Sequence, residues 1–155
     1  MAQPSPEIIA AAQASQRKWR IPASISLAQW AVESGWGKHD LGCYNFFGMK
    51  APCDAKGDPI GPHVMLKTRE VDKHGHDYYI LAPFRKFASA QEAFDKHAEL
   101  LATKPVYARA KAKLPDVDAF ADALTGVYAT DSNYGRTLKA VMHGSNLYQY
   151  DVRAA

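Results

Sequence analysis

The sequence predicts an α+β fold, in which a helical body has one small β-hairpin lobe inserted near the middle of the chain. Segment 21–37 is typical of a buried helix, and segment 64–87 has the alternation of a hairpin around a turn that contains glycine. Helical spacing returns after Ser89. The chain has 155 residues, no internal repeats and no long linker, so we expect one domain over residues 1–155.

The first two helices have clear end signals. The first is predicted to begin at Ser5 and Pro6, because serine caps a helix and proline is tolerated in the first turn. The second follows Pro22 and is apolar on every side, which predicts a buried central position, and it is expected to end at Ser34 and Gly35. The residues predicted to form the buried face of the first helix are Ile8, Ala11, Ala12, Ser15 and Trp19.

Residues 38–62 are rich in Gly, Pro, Asn and Asp, and we interpret them as an ordered loop around Phe46 and Phe47. A β-hairpin with a four-residue turn at 72–75 follows. Pro83 indicates that the second strand, expected to continue to about Phe87, lies at an edge or bends. One face of the first strand is predicted to comprise Val64, Leu66, Thr68 and Glu70.

The remainder of the chain is predicted to be helical. Ser89 and Glu92 form a capping box. His97 lies on the apolar face of the helix that follows, and we expect it to be a core histidine with satisfied hydrogen bonds. Later helices are expected to begin at Asp116 or Asp118, and at Asp131 or Ser132, the last one ending near Met142.

The composition limits the classes of partner. A net charge of +3, from 19 basic and 16 acidic residues, is too weak to indicate nucleic acid, although it is compatible with an anionic polymer such as bacterial cell wall. His74 and His76 have no further ligands at useful spacing, and no phosphate-binding loop is present, so we expect no metal and no cofactor. Cys43 and Cys53 either close a small disulfide loop or are two ordinary thiols.

Glu33 is the only ionisable residue between Ile21 and Gly37. Burial and the negative end of the helix dipole disfavour its charged form, so its pKa is expected to be raised. A carboxylic acid that stays partly protonated near neutral pH is what protonation of a glycosidic oxygen requires. The following Trp36 offers an indole on which sugars stack. The alternative is a structural glutamate that faces solvent or is hydrogen-bonded.

A glycosidase usually needs a second carboxylate. Glu70 is a candidate, because a hairpin lobe can fold over a cleft, and the alternative for it is a solvated strand residue beside Arg69. Asp131 is another candidate, although a helix cap is its simpler role.

Five sequence blocks occur in a characteristic order. They are IPASISLAQWAVESGWG from Ile21, NFFGMK from Asn45, KTREV around Glu70, FRKFAS from Phe84 and YATDSNY from Tyr128. Together the blocks closely resemble the glucosaminidase family of peptidoglycan hydrolases, glycoside hydrolase family 73, which includes flagellar-rod and autolysin-type N-acetylglucosaminidases. Phe87 stands where this family usually has tyrosine.

The resemblance implies a lysozyme-like fold, with a groove between the helical body and the lobe. It also implies hydrolysis of the β-1,4 bond between N-acetylglucosamine and N-acetylmuramic acid in peptidoglycan. Glu33 takes the general-acid position, Glu70 takes the second-carboxylate position, and Tyr128 matches a tyrosine that assists near the acid. The residues implied for substrate binding are Trp36, Phe47 and Tyr134, with Asn45 and Asp131 ordering the walls of the site.

Three other activities remain open on such a fold: a muramidase, a lytic transglycosylase and a non-catalytic wall-binding module. The N-terminus has neither the basic nor the apolar region of a signal peptide, and no apolar run approaches the ~18 residues of a membrane span. We therefore expect another machine to bring the enzyme to the wall, as for phage lysins or secreted effectors. A monomer is the default for a groove enzyme of this size.

Overall fold

The computed structural model describes residues 2–153 and confirms the predicted α+β architecture. One antiparallel hairpin interrupts the helical body between the second and third helices. Two short 3-10 turns, Pro105–Tyr107 and Leu147–Tyr150, were not predicted. The helices are α1 (Pro6–Trp19), α2 (Ala23–Ser34), α3 (Ala90–Thr103), α4 (Ala108–Lys111), α5 (Val117–Ala123) and α6 (Tyr134–Gly144), and the strands are β1 (His63–Val71) and β2 (Asp77–Arg85).

Most helix ends follow the local signals in the sequence. Ser5 and Ser89 cap α1 and α3 through their hydroxyl groups, and the Asp116 carboxylate caps α5, which decides between the two aspartates considered. Gly35 ends α2 in the left-handed conformation, with φ 58°. These predictions are confirmed.

The predicted start of α6 is wrong. The helix begins at Tyr134, and neither Asp131 nor Ser132 is its N-cap, which is Asn133. The Asp131 carboxylate instead accepts a hydrogen bond from the backbone N–H of Asn133 at 2.8 Å. Asp131 therefore shapes the turn that leads into α6, because the same side chain suits an Asx-turn and a cap equally well.

Helix α2 forms the centre of the body. Every residue from Ala23 to Ala31 is buried, and the helix packs against α1, α3, α5 and α6. The predicted face of α1 is also buried, except for Trp19, which stays partly exposed. No helix within residues 2–153 combines the length and apolar character needed to cross a bilayer.

The hairpin is a lobe whose backbone hydrogen bonds to the preceding loop lie at its base. There the Ala51 backbone amide donates a hydrogen bond to the Pro83 carbonyl at 2.8 Å. Strand β2 ends at Arg85, two residues earlier than predicted. Pro83 is tolerated because β2 is an edge strand, as expected. Away from the base the lobe projects into solvent, and Leu81 is 68% exposed. Such a lobe can change its position relative to the body at little cost in packing.

The loop between α2 and β1 is ordered around the buried rings of Phe46 and Phe47, as predicted. Within this loop Cys43 is buried and Cys53 is exposed. Both are free thiols, so the second of the two alternatives for this pair is the one observed.

Candidate active site

Glu33 lies in the last turn of α2, where Gly35 ends the helix. Its side chain is solvent-accessible, yet protein atoms crowd around its carboxyl group and displace part of its hydration. This desolvation raises the pKa of Glu33 above its ordinary value of 4.5, and a hydrogen bond from Tyr134 opposes the rise. An acid with a raised pKa that also meets solvent is suited to give a proton to a substrate.

Tyr134 holds Glu33 in place. Its hydroxyl donates to Oε1 of Glu33 at 3.0 Å, and it accepts a hydrogen bond at 2.9 Å from Nε2 of Gln29. Gln29 is fully buried one turn before Glu33 on α2, whereas Tyr134 is the first residue of α6. The two hydrogen bonds therefore fix the carboxyl group between two packed helices.

Tyr128 stacks on Tyr134 with ring centroids 5.6 Å apart and an interplanar angle of 12°. Burial raises the pKa of both phenols far above their ordinary value, and the charge of Glu33 raises it further. Both therefore stay neutral under physiological conditions. Within the described residues, Tyr134 contacts the Glu33 carboxyl directly, and Tyr128 packs against the ring of Tyr134.

His97 packs against Tyr128, one member of this tyrosine pair. Its ring stacks on Phe47, with centroids 3.9 Å apart, and meets Tyr128 edge-on at 6.0 Å. It is a core histidine, as predicted, but the expectation of satisfied hydrogen bonds is wrong, since neither ring nitrogen has a partner within residues 2–153. Burial lowers the pKa of His97 to about 3, so the ring is neutral.

Glu70 lies on the less exposed face of β1, paired in register with Tyr78. Its carboxylate accepts a hydrogen bond from Nζ of Lys50 at 3.1 Å, and both side chains are partly exposed. This ion pair joins the lobe to the loop at its base. Glu33 and Glu70 therefore belong to different parts of the fold, the first to the rigid body and the second to the lobe.

The remaining predicted residues have different surroundings. Trp36 is half-buried, with its ring edge-on to Trp30 at 5.7 Å, and it lines a cleft of about 440 Å³. Asn45 is buried, and its side-chain amide bonds to the backbone of Met49 and Arg85, so it joins the loop to the end of β2. Phe47 is a core residue, only 5% exposed, rather than part of a sugar-contacting surface.

Sequence reasoning missed two polar residues of the site, Gln29 and Lys50. Gln29 had a detectable signal, because it is an amide in an apolar segment, four positions before Glu33 and therefore on the same helix face. Lys50 had none, because its pairing with Glu70 depends on how the hairpin meets the loop.

The helical body, the hairpin lobe and the half-desolvated glutamate at the end of a central helix define a lysozyme-like glycoside hydrolase domain. A family model described as mannosyl-glycoprotein endo-beta-N-acetylglucosaminidase matches residues 9–147. The chain belongs to this glucosaminidase family, glycoside hydrolase family 73.

Named relatives agree with this assignment. The chain is 34% identical over 148 residues to an exo-glucosaminidase, LytG, of Bacillus subtilis, with 90% of this chain and 50% of that protein covered. It is 35% identical over 137 residues to a probable N-acetylmuramidase of Lactococcus lactis, covering 83% of this chain and 30% of that protein. The chain thus spans half or less of these two curated relatives.

A solved structure of a similar protein has the same fold. The catalytic domain of the autolysin Auto from Listeria monocytogenes superposes with a TM-score of 0.81 at 29% identity, covering 97% of this chain and 91% of that domain.

Proposed function

We propose that this chain hydrolyses the β-1,4 bond between N-acetylglucosamine and N-acetylmuramic acid in peptidoglycan, with Glu33 as the general acid. The observation that supports this most is the Glu33 carboxyl itself, which meets solvent, has a raised pKa and is held by Tyr134. The exo-glucosaminidase among the relatives supports the choice of bond. The substrate places the site of action at the cell wall, reached by export or release.

In the proposed reaction, neutral Glu33 donates its proton to the glycosidic oxygen as the bond to the leaving sugar breaks. The carboxylate that forms keeps its hydrogen bond from Tyr134, which stabilises the developing negative charge. Tyr128 and Tyr134 remain neutral throughout, so neither competes with Glu33 for the proton. Trp36 is the proposed stacking surface for a sugar ring.

We propose two routes for the water: Glu70 takes its proton as it attacks the anomeric carbon, or the acetamido oxygen of the substrate first bonds to that carbon as the leaving sugar departs, and water then displaces it. The ion pair of Glu70 with Lys50 is exposed, and such pairs contribute only ~0–1 kcal/mol. Glu70 can therefore leave Lys50 readily when the lobe moves towards a bound strand. Its position near the turn of a projecting hairpin lobe favours a role that depends on closure.

A muramidase is the main alternative, because a probable N-acetylmuramidase is among the relatives. The two activities cut alternate bonds of the same strand and leave different reducing ends. The test is mass spectrometry of soluble fragments from purified peptidoglycan after borohydride reduction, comparing the unmodified protein with Glu33→Gln. Glu99→Gln, which removes a surface partner of Lys96, is the matched control.

Reduced N-acetylglucosamine ends that persist in Glu99→Gln and fall by at least ~10²-fold in Glu33→Gln are the expected result. Reduced muramic acid ends would assign a muramidase, and anhydro ends a lytic transglycosylase. Full activity of Glu33→Gln would remove Glu33 from the mechanism. Absence of fragments from every protein would favour a wall-binding module.

A further inference from the structure

A chain of two hydrogen bonds ends at the Glu33 carboxyl. Gln29 donates to the Tyr134 hydroxyl at 2.9 Å, and that hydroxyl lies 3.0 Å from Oε1 of Glu33. Gln29 is fully buried and Tyr134 is only 3% exposed, so water does not compete for either group. Hydrogen bonds in such surroundings strengthen one another and have a defined direction.

The direction follows from the orientation of the Gln29 amide, whose Nε2 faces the Tyr134 oxygen, while its Oε1 has no partner within residues 2–153. A phenol has one O–H donor, and the amide of Gln29 already occupies an acceptor position on the Tyr134 oxygen. If Glu33 also donated to that oxygen, the Tyr134 hydrogen would be left buried without an acceptor, which is costly. Tyr134 is therefore the donor and Oε1 of Glu33 is the acceptor.

We propose that Gln29 is a positioning residue, which fixes Tyr134 as a donor to Oε1 of Glu33 and so confines the acid proton to Oε2. The inference rests on the proposed role of Glu33 as general acid. No side chain within residues 2–153 hydrogen-bonds to Oε2, so this oxygen is free to meet the substrate. When Oε2 gives its proton to the glycosidic oxygen, the hydrogen bond on Oε1 remains and stabilises the carboxylate.

Other titrating groups do not disturb this arrangement. The titratable side chains that interact with Glu33 in the described part of the chain are Tyr134, on α6, and Tyr128, on the preceding loop. Burial keeps both neutral. His97, which supports Tyr128 from α3, is neutral as well above pH about 3. With these three rings neutral, a titration at this site above pH about 3 therefore reports Glu33 alone.

The test is a titration of the Glu33 carboxyl carbon by ¹³C NMR, with the resonance identified by its loss in Glu33→Gln. Tyr134→Phe is expected to raise the pKa of Glu33 by about one unit, because it removes a hydrogen bond to the charged form. The sign is decisive, since the pKa would fall if Tyr134 instead accepted the proton of neutral Glu33. A fall, or no change, would overturn the proposal.

Gln29→Met tests the positioning step, with Gln29→Leu as a second variant if the first does not fold. We expect a smaller rise in the pKa of Glu33, of about half a unit, and a matching shift in the alkaline limb of the pH–kcat profile. In the Tyr134→Phe background the same substitution is expected to add nothing, because Gln29 acts through the hydroxyl. An equal shift in both backgrounds would contradict this role.

Two matched controls separate these changes in the pKa of Glu33 from general effects of a substitution on packing. Tyr148→Phe removes a phenol that donates to the Asp118 carboxylate elsewhere on the body, and Gln13→Met removes an amide that donates to the Tyr150 carbonyl. Both are expected to leave the titration of Glu33 unchanged, and a comparable shift in either would overturn the inference. The NMR titration needs no turnover, so failure of the proposed function is detected separately, by activity in Glu33→Gln.

Discussion

The Tyr134 hydroxyl donates a hydrogen bond to Oε1 of Glu33 at 3.0 Å, and this contact joins the end of α2 to the start of α6. The geometry of the acid therefore depends on the packing of two helices, rather than on the conformation of one loop. Stacking of Tyr128 on Tyr134 and of Phe47 on His97 extends this support into the core. Such a site is held rigidly before substrate binds.

Activity is expected to decrease as the pH rises through the pKa of Glu33, because only the neutral acid can donate a proton. Desolvation raises that pKa above 4.5, so the alkaline limb is expected above this value. Initial rates on purified peptidoglycan between about pH 4 and pH 8 measure the limb. Glu99→Gln is expected to leave it in place, and a rate that rises throughout this range would contradict an acid role for Glu33.

Glu70→Gln is expected to reduce kcat by about 10²-fold if Glu70 activates the water, because an amide cannot act as a general base. Asp77→Asn is the matched control, since Asp77 lies on the same hairpin in an exposed pair with Arg69. Its effect is expected to stay below about twofold. Equal activity of Glu70→Gln and Asp77→Asn would instead favour assistance by the acetamido group of the substrate.

His97→Leu is expected to gain stability relative to the unmodified protein when the medium is acidified. The pKa of His97 is lowered by burial from 6.5 to about 3, so between these values the unfolded chain binds a proton that the folded protein excludes. The folded state of the unmodified protein therefore loses stability as the pH falls below 6.5. Leucine at this position does not titrate.

Urea unfolding at pH 7 and pH 5 checks this prediction. The difference in unfolding free energy between His97→Leu and the unmodified protein is expected to change by about 2 kcal/mol in favour of the variant. His74→Leu, in the exposed hairpin turn, is the control and is expected to show no such change. A constant difference for His97→Leu would mean that the buried ring binds a proton in the folded state.

Gly37→Ala is expected to destabilise the fold more than Gly57→Ala. Both glycines have a left-handed φ, 86° and 84°, which costs an alanine about 1 kcal/mol. At Gly37 the added Cβ would also lie 2.9 Å from Cζ2 of Trp30, whereas at Gly57 no atom of residues 2–153 beyond its chain neighbours would lie within 4 Å of it. The clash is expected to add about 1–3 kcal/mol, measured by urea unfolding. Equal losses of unfolding free energy in the two variants would show that the Trp30 ring moves aside without cost.

Structural features that depend only on residues close together in the chain could be predicted from the sequence. The run of small and apolar residues in α2, its end at Gly35, and the serine caps of α1 and α3 follow from local preferences, and the hairpin follows from alternation around a glycine turn. The start of α6 could not be predicted, because Asp131 suits a turn and a helix cap equally well. Hydrogen-bonding geometry decided between these two roles.

By itself, the sequence distinguished Glu33, because a single ionisable residue in an apolar helix is visible in the order of amino acids. Only the tertiary structure decided that Tyr134 rather than Tyr128 contacts it, that Gln29 orients Tyr134, and that Phe47 packs on His97 in the core. These relationships join residues far apart in the chain. They depend on the distances and angles at which helices pack, and the local periodicity of a sequence does not specify those.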